Sequence, residues 1–142
     1  MEAAEERLQE LPMPTGSSVL VHGDIWQGNT MWIGDRHTAL LDWDAAGVGH
    51  RGIDLGSARL DAAIMFGPAA TDDILHGWQQ AAGTILDSQV VAYWDLRAAL
   101  NTPSDMEKPT PNHHAQGRTD LCAATAAARR DDLVRSALAT LG

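Results

Sequence analysis

The sequence predicts an α+β fold, with several helices packed together beneath a small β element. Two patterns lead there. Short β-branched and apolar runs crowd residues 18–41, whereas from Ile53 onward apolar residues recur at three- and four-residue spacing. Size is the third observation. The chain has 142 residues, 44 % of them hydrophobic, enough to bury one sizeable core, so a single domain over 1–142 is expected.

In chain order, residues 2–10 are rich in Ala and Glu and predict a helix with Leu8 and Leu11 on one face, ended by Pro12 and Pro14. Ser18–His22 (SVLVH) predicts a strand, and the polar, Gly-containing stretch Gly23–Thr30 a loop. Thr30–Ile33 and Thr38–Leu41 flank Gly34-Asp35-Arg36-His37, a hairpin signal, and the second run delivers Asp42 at its end. Asp44–Arg51 (DAAGVGHR) reads as a Gly-rich loop. A helix follows from Ile53, with Leu55, Ala58, Ala62 and Met65 recurring at three- and four-residue spacing and Gly67-Pro68 as its stop. Thr71 is the expected N-cap of the next helix, which carries Ile74, Leu75, Trp78, Ala81 and Ala82. A further helix over 88–100 turns Val90, Val91, Trp94, Leu96 and Leu100 inward. Residues 101–118 hold three prolines and few apolar groups, and are expected to form an exposed loop or a partly disordered link. An Ala-rich helix over 119–141 closes the chain, and the core of the domain is expected within about 1–100.

The formal net charge of −9 argues against nucleic-acid or anionic-membrane partners, which need Lys/Arg patches. Cys122 is the sole cysteine, so no intrachain disulfide can form and a reducing compartment is the default. No apolar run approaches the roughly 18 residues of a membrane span, and MEAAEERLQE is not signal-like. A cytoplasmic location is therefore expected.

The residues able to carry chemistry lie within 22–54. Asp24 follows a strand; a carboxylate there can orient a hydroxyl and take its proton, or simply form a turn. Asn29, five residues on, offers an amide oxygen that can ligate Mg²⁺ without adding charge. Asp42 supplies the carboxylate oxygen that Mg²⁺ prefers. Asp, Asn at plus five and then a strand-borne Asp is the working order of a kinase-type phosphoryl-transfer site. His22 lacks a second ligand cluster at metal spacing and reads as a residue that props the loop through the backbone. Asp54 opens a helix, where the dipole favours a carboxylate, and can also accept hydrogen bonds from the loop.

Together, Leu20-Val21-His22-Gly23-Asp24, Asn29, Leu41-Asp42-Trp43-Asp44 and Asp54-Leu55 resemble the aminoglycoside phosphotransferase family, whose members are similar to protein kinases and which has choline, homoserine and fructosamine kinases in its wider group. The likeness extends more loosely through HGWQQAAG and VAYWDLRAAL, covering residues 1 to about 100. It implies the mainly helical C-terminal lobe of a protein-kinase-like fold and transfer of the γ-phosphate of ATP, with Mg²⁺, to a hydroxyl of a small molecule: an aminoglycoside, a choline-like or an amino-sugar-like acceptor. By the same resemblance Asp24 is the catalytic Asp, Asn29 and Asp42 are metal ligands, and His22 and Asp54 support the catalytic loop.

The sequence departs from that family in one large respect. Only 17 residues precede the first expected strand, no Gly-rich strand-turn-strand is present, and the sole lysine is Lys108. The expectation is a C-terminal lobe without its N-terminal nucleotide lobe, weak or inactive alone, and inclined to self-association or to a partner supplying the other lobe. A non-catalytic kinase-like binding module is the alternative.

Overall fold

A computed structural model describes all of residues 1–142. Its elements run α1 (Glu2–Glu10), β1 (Ser18–Val21), β2 (Thr30–Ile33), β3 (Arg36–Leu40), β4 (Gly47–His50), α2 (Gly52–Phe66), α3 (Ala69–Ala82), α4 (Ser88–Asn101), α5 (Thr110–Ala115) and α6 (Ala123–Leu141). The class is α+β, as expected. No helix is long and apolar enough to cross a membrane.

α2 is the central element. It packs against α3, α4 and α6, while α1 lies on α4 and α6. The core joins Leu60, Ile64 and Met65 of α2 to Leu96 of α4 and Leu133 and Val134 of α6, with Ala4 of α1 also fully enclosed. Small residues let the helices approach. A Cβ added at Gly56 would stand 2.4 Å from the Trp94 carbonyl oxygen of α4. Backbone cannot yield as a flexible side chain can, so Gly56→Ala should separate α2 from α4. A fall in Tm of roughly 3–10 °C is expected. Gly77→Ala is the control: it lies inside α3 with nothing within 4 Å, and should instead stabilise by about 0.5–1 kcal/mol through helix propensity. Equal Tm changes for the two variants would refute the close-packing account.

A buried ion pair ties three helices. Arg59 of α2 donates through Nε and Nη2 to Oδ1 and Oδ2 of Asp95 on α4, each at 2.9 Å, and through Nη1 to the Thr71 carbonyl of α3 at 2.6 Å. Burial holds the Asp95 carboxyl above its ordinary range, and Arg59 opposes that shift.

Four expectations need correction. The stretch 44–51 is not all loop: Gly47–His50 is a strand paired antiparallel with β1, from Ser18↔His50 to Val21↔Gly47. Its glycines suggested a loop, but β1 needs a partner for its backbone groups, and that pairing is non-local. Thr71 does not cap α3. The helix begins at Ala69 after Pro68, whose fixed φ suits a helix start, and Thr71 Oγ1 donates back to the Pro68 carbonyl at 2.6 Å. The segment 101–118 contains α5 and buries Met106 and His113 against the body. The last helix starts at Ala123, not 119. Ile74, Ala81 and Ala82 of α3 are exposed; that helix packs mainly on α2.

Candidate functional site

The β strands exist in two separate pairs, β1–β4 and β2–β3. The loop from β1 to β2 and the turn after β3 therefore meet above the N-terminus of α2. Asp54, in the first turn of α2, accepts from the His22 and Gly23 backbone N–H groups through Oδ2 and Oδ1, both at 2.8 Å. One carboxylate thus satisfies two successive donors as the chain leaves β1.

His22 is 2 % exposed. Its Nδ1 accepts from the Asp24 N–H at 3.3 Å and its Nε2 lies 2.7 Å from the Leu41 carbonyl. The neutral ring protonated on Nε2 satisfies both bonds at once. The ring also packs on Trp43, centroids 4.6 Å apart. His22 therefore links the Asp24 loop to the Asp42 turn, and both its nitrogens are occupied by the protein.

Asn29 is buried at the end of a short 3₁₀ turn, and its Nδ2 donates to the Asp24 carbonyl at 2.9 Å and to Asp24 Oδ2 at 3.0 Å. With both amide hydrogens used, Oδ1 remains the atom free to ligate. The Leu41 N–H donates to the Asn29 carbonyl at 2.8 Å, so Asp42 follows directly on the residue bonded to Asn29. Asp42 lies two residues beyond the strand rather than at its terminus, since β3 stops at Leu40. It is the sole non-glycine residue with positive φ, at 58°, and its carboxylate is exposed. Asp tolerates this left-handed conformation better than most residues, at a cost of roughly 1–2 kcal/mol.

Two residues escaped the sequence reading. Gly23 has φ +84°, and a Cβ there would meet the Ala45 carbonyl oxygen at 2.4 Å, so the Asp24 loop and the Trp43–Ala45 turn touch backbone to backbone. Asp61 of α2 accepts from the Gln27 N–H through Oδ2 at 2.9 Å. It lies seven residues after Asp54, on the same helix face, and that spacing was the available signal. Asp54 and Asp61 hold the two ends of one loop.

The structure brings His22, Asp24, Asn29, Asp42 and Asp54 into this one region. His113 and His114 lie on α5; His113 lines the cavity beside Asp24, and His114 Nε2 is engaged with the Leu121 carbonyl at 2.8 Å. No group of three or more His, Cys, Asp or Glu residues stands at metal-holding distance. The donors at hand are instead one amide oxygen and one carboxylate, both hard oxygens. That set suits Mg²⁺, which commonly takes one or two protein oxygens and completes its shell with water and phosphate. Beside Asp24 opens a cavity of about 330 Å³, between the Gly23–Trp26 loop, α2, the end of α4 and the segment Thr102–His113.

The fold and this site define a class: an α+β domain with an acidic, oxygen-donor site carried on β-borne loops over a helix N-terminus. The chain belongs to the phosphotransferase enzyme family, whose model matches residues 1–100. Membership points to phosphotransferase-type activity. A search of curated proteins returned no match, and nor did a search of solved structures.

Proposed function

We propose that the chain is the C-terminal lobe of a protein-kinase-like enzyme that transfers the γ-phosphate of ATP, with Mg²⁺, to a hydroxyl of a small molecule. The observation that carries this reading is the Asn29–Asp24 bond at 3.0 Å beside the left-handed Asp42. Asn29 fixes one oxygen of Asp24, which leaves the other to orient the acceptor hydroxyl and take its proton. Asn29 Oδ1 and the Asp42 carboxylate would hold Mg²⁺, which neutralises charge on the transferring phosphoryl group. His22 and Asp54 position the loop and touch no reactant. The acceptor belongs to the aminoglycoside, choline-like or amino-sugar-like alcohols.

Leu20 and Val48 are register partners on β1 and β4, 70 % and 80 % exposed, and Ile33 on β2 is 70 % exposed. Large apolar side chains so placed support docking of a nucleotide-gripping lobe or of a second copy. The same exposed residues are what favour the second reading, a non-catalytic binding module. Titration of the 142-residue chain with ATP and Mg²⁺ separates the two. Mg²⁺-dependent binding at millimolar nucleotide is expected, weakened about tenfold or more in Asp42→Ala. Nucleotide binding that ignores Mg²⁺, or none at all, would leave the binding module standing instead.

A further inference from the structure

A second cavity, of about 310 Å³, lies between Met13 of the α1–β1 linker, the first turns of α2 and one face of α4. Its size falls at the lower end of the range usual for small-ligand pockets, roughly 300–1,000 Å³. Asp24 and Asp61 line the first cavity and not this one. The protein carries a net charge of −9, yet no carboxylate borders this space, and the single charged residue in its walls is Arg97. Tyr93, Arg97 and Asn101 follow one another at four-residue spacing, so α4 turns all three to the same side.

Arg97 differs from most arginines of this protein. Five others sit in ion pairs, Arg129 donates to two carbonyls of α2, and Arg51 lies over the Trp78 ring. Arg97 has neither a carboxylate nor a carbonyl partner, and the side chains of Tyr93 and Asn101 are likewise unengaged. Trp94, beside them, also lines the space, and its buried Nε1 has no hydrogen-bond partner. A buried donor without a partner costs stability unless something else meets it. The indole is held in place: it stacks on His50 with centroids 5.2 Å apart and stands edge-on to Tyr93 at 5.3 Å. Donors without acceptors thus border one space, on a wall that packing has already fixed.

We propose that this cavity binds a small organic acid, a single carboxylate on an apolar body, with Arg97 as its anchor. A guanidinium matches a carboxylate by two parallel charge-assisted hydrogen bonds. One cation suits one negative charge; a phosphate dianion calls for a second, and none lines the cavity. Met13, Ile53 and the Tyr93–Trp94 pair supply the apolar walls for the body of the ligand. None of these residues belongs to the Asp24, Asn29 and Asp42 set, so the site stands whether or not the chain transfers phosphate.

NMR titration of the full chain, without nucleotide or Mg²⁺, tests this with benzoate, benzyl alcohol and inorganic phosphate as probes. Benzoate is expected to bind about tenfold or more tighter than benzyl alcohol, which has the same ring and no charge. Phosphate should bind more weakly than benzoate, and benzoate should move the Trp94 indole N–H resonance. Arg97→Gln should erase the preference while circular dichroism stays unchanged, because Arg97 is exposed and holds no other element. Arg36→Gln, on the exposed β2–β3 hairpin, should leave the preference intact. Benzoate binding no tighter than benzyl alcohol, phosphate binding tightest, a still Trp94 resonance, or a preference that survives Arg97→Gln each overturns the assignment. If Arg97→Gln fails to fold, the three-probe comparison and the Trp94 resonance on the wild type decide.

Discussion

Asp95→Ala is expected to lower the stability of the fold by about 3–5 kcal/mol, the cost typical of breaking a buried ion pair from one side. The Arg59 guanidinium would stay enclosed among α2, α3 and α4 with the Thr71 carbonyl as its remaining acceptor. For a chain of this length that is a fall in Tm of roughly 10–20 °C. The measurement is thermal or urea unfolding followed by circular dichroism. A double variant, Arg59→Met with Asp95→Leu, removes both charges and keeps most of the volume, and should recover most of the loss. If Asp95→Ala costs less than about 1 kcal/mol, in the range of exposed pairs, the pair does not anchor these helices.

Asp54→Ala acts on the site rather than the core. It removes the acceptor of two neighbouring N–H groups, each worth about 1–3 kcal/mol when left without a partner in an enclosed place. Water reaches part of this loop, so a local cost of about 2–4 kcal/mol is expected. The amides of His22 and Gly23 should then exchange with solvent roughly 30- to 1,000-fold faster. Asp54→Asn keeps one acceptor oxygen and should fall between. Mg²⁺-dependent nucleotide binding should weaken in parallel, because Asp24 and Asn29 hang from the same loop. Unchanged exchange at residues 22–23 in Asp54→Ala would show that the carboxylate does not hold the loop.

Local order made much of this fold legible. The Ala- and Glu-rich start, the 3–4 apolar spacing after Ile53 and the apolar run over 88–100 each form the expected helix, because helices close their hydrogen bonds within a few residues. The hairpin of β2 and β3 is likewise local, with its turn at Gly34. What the sequence hid is non-local. β4 is recognisable only by its pairing with β1, about 30 residues away, and its glycines pointed to a loop. Asp95 stands between Trp94 and Leu96, and only a guanidinium from another helix lets it sit inside. The Pro-rich stretch 101–118 is short of apolar residues, but Met106 and His113 suffice to fasten it beside Asp24.

By itself, then, the sequence determined the α+β class, the family and the order Asp24, Asn29, Asp42, since these depend on residue type and spacing along the chain. Only the tertiary structure decided that Asn29 bonds the Asp24 carboxylate, that Gly23 must be glycine because Ala45 passes behind it, and that Arg97 stands without a partner at a cavity. Each of those depends on two segments meeting in space, and the distance at which they meet is set by how the helices and strands pack.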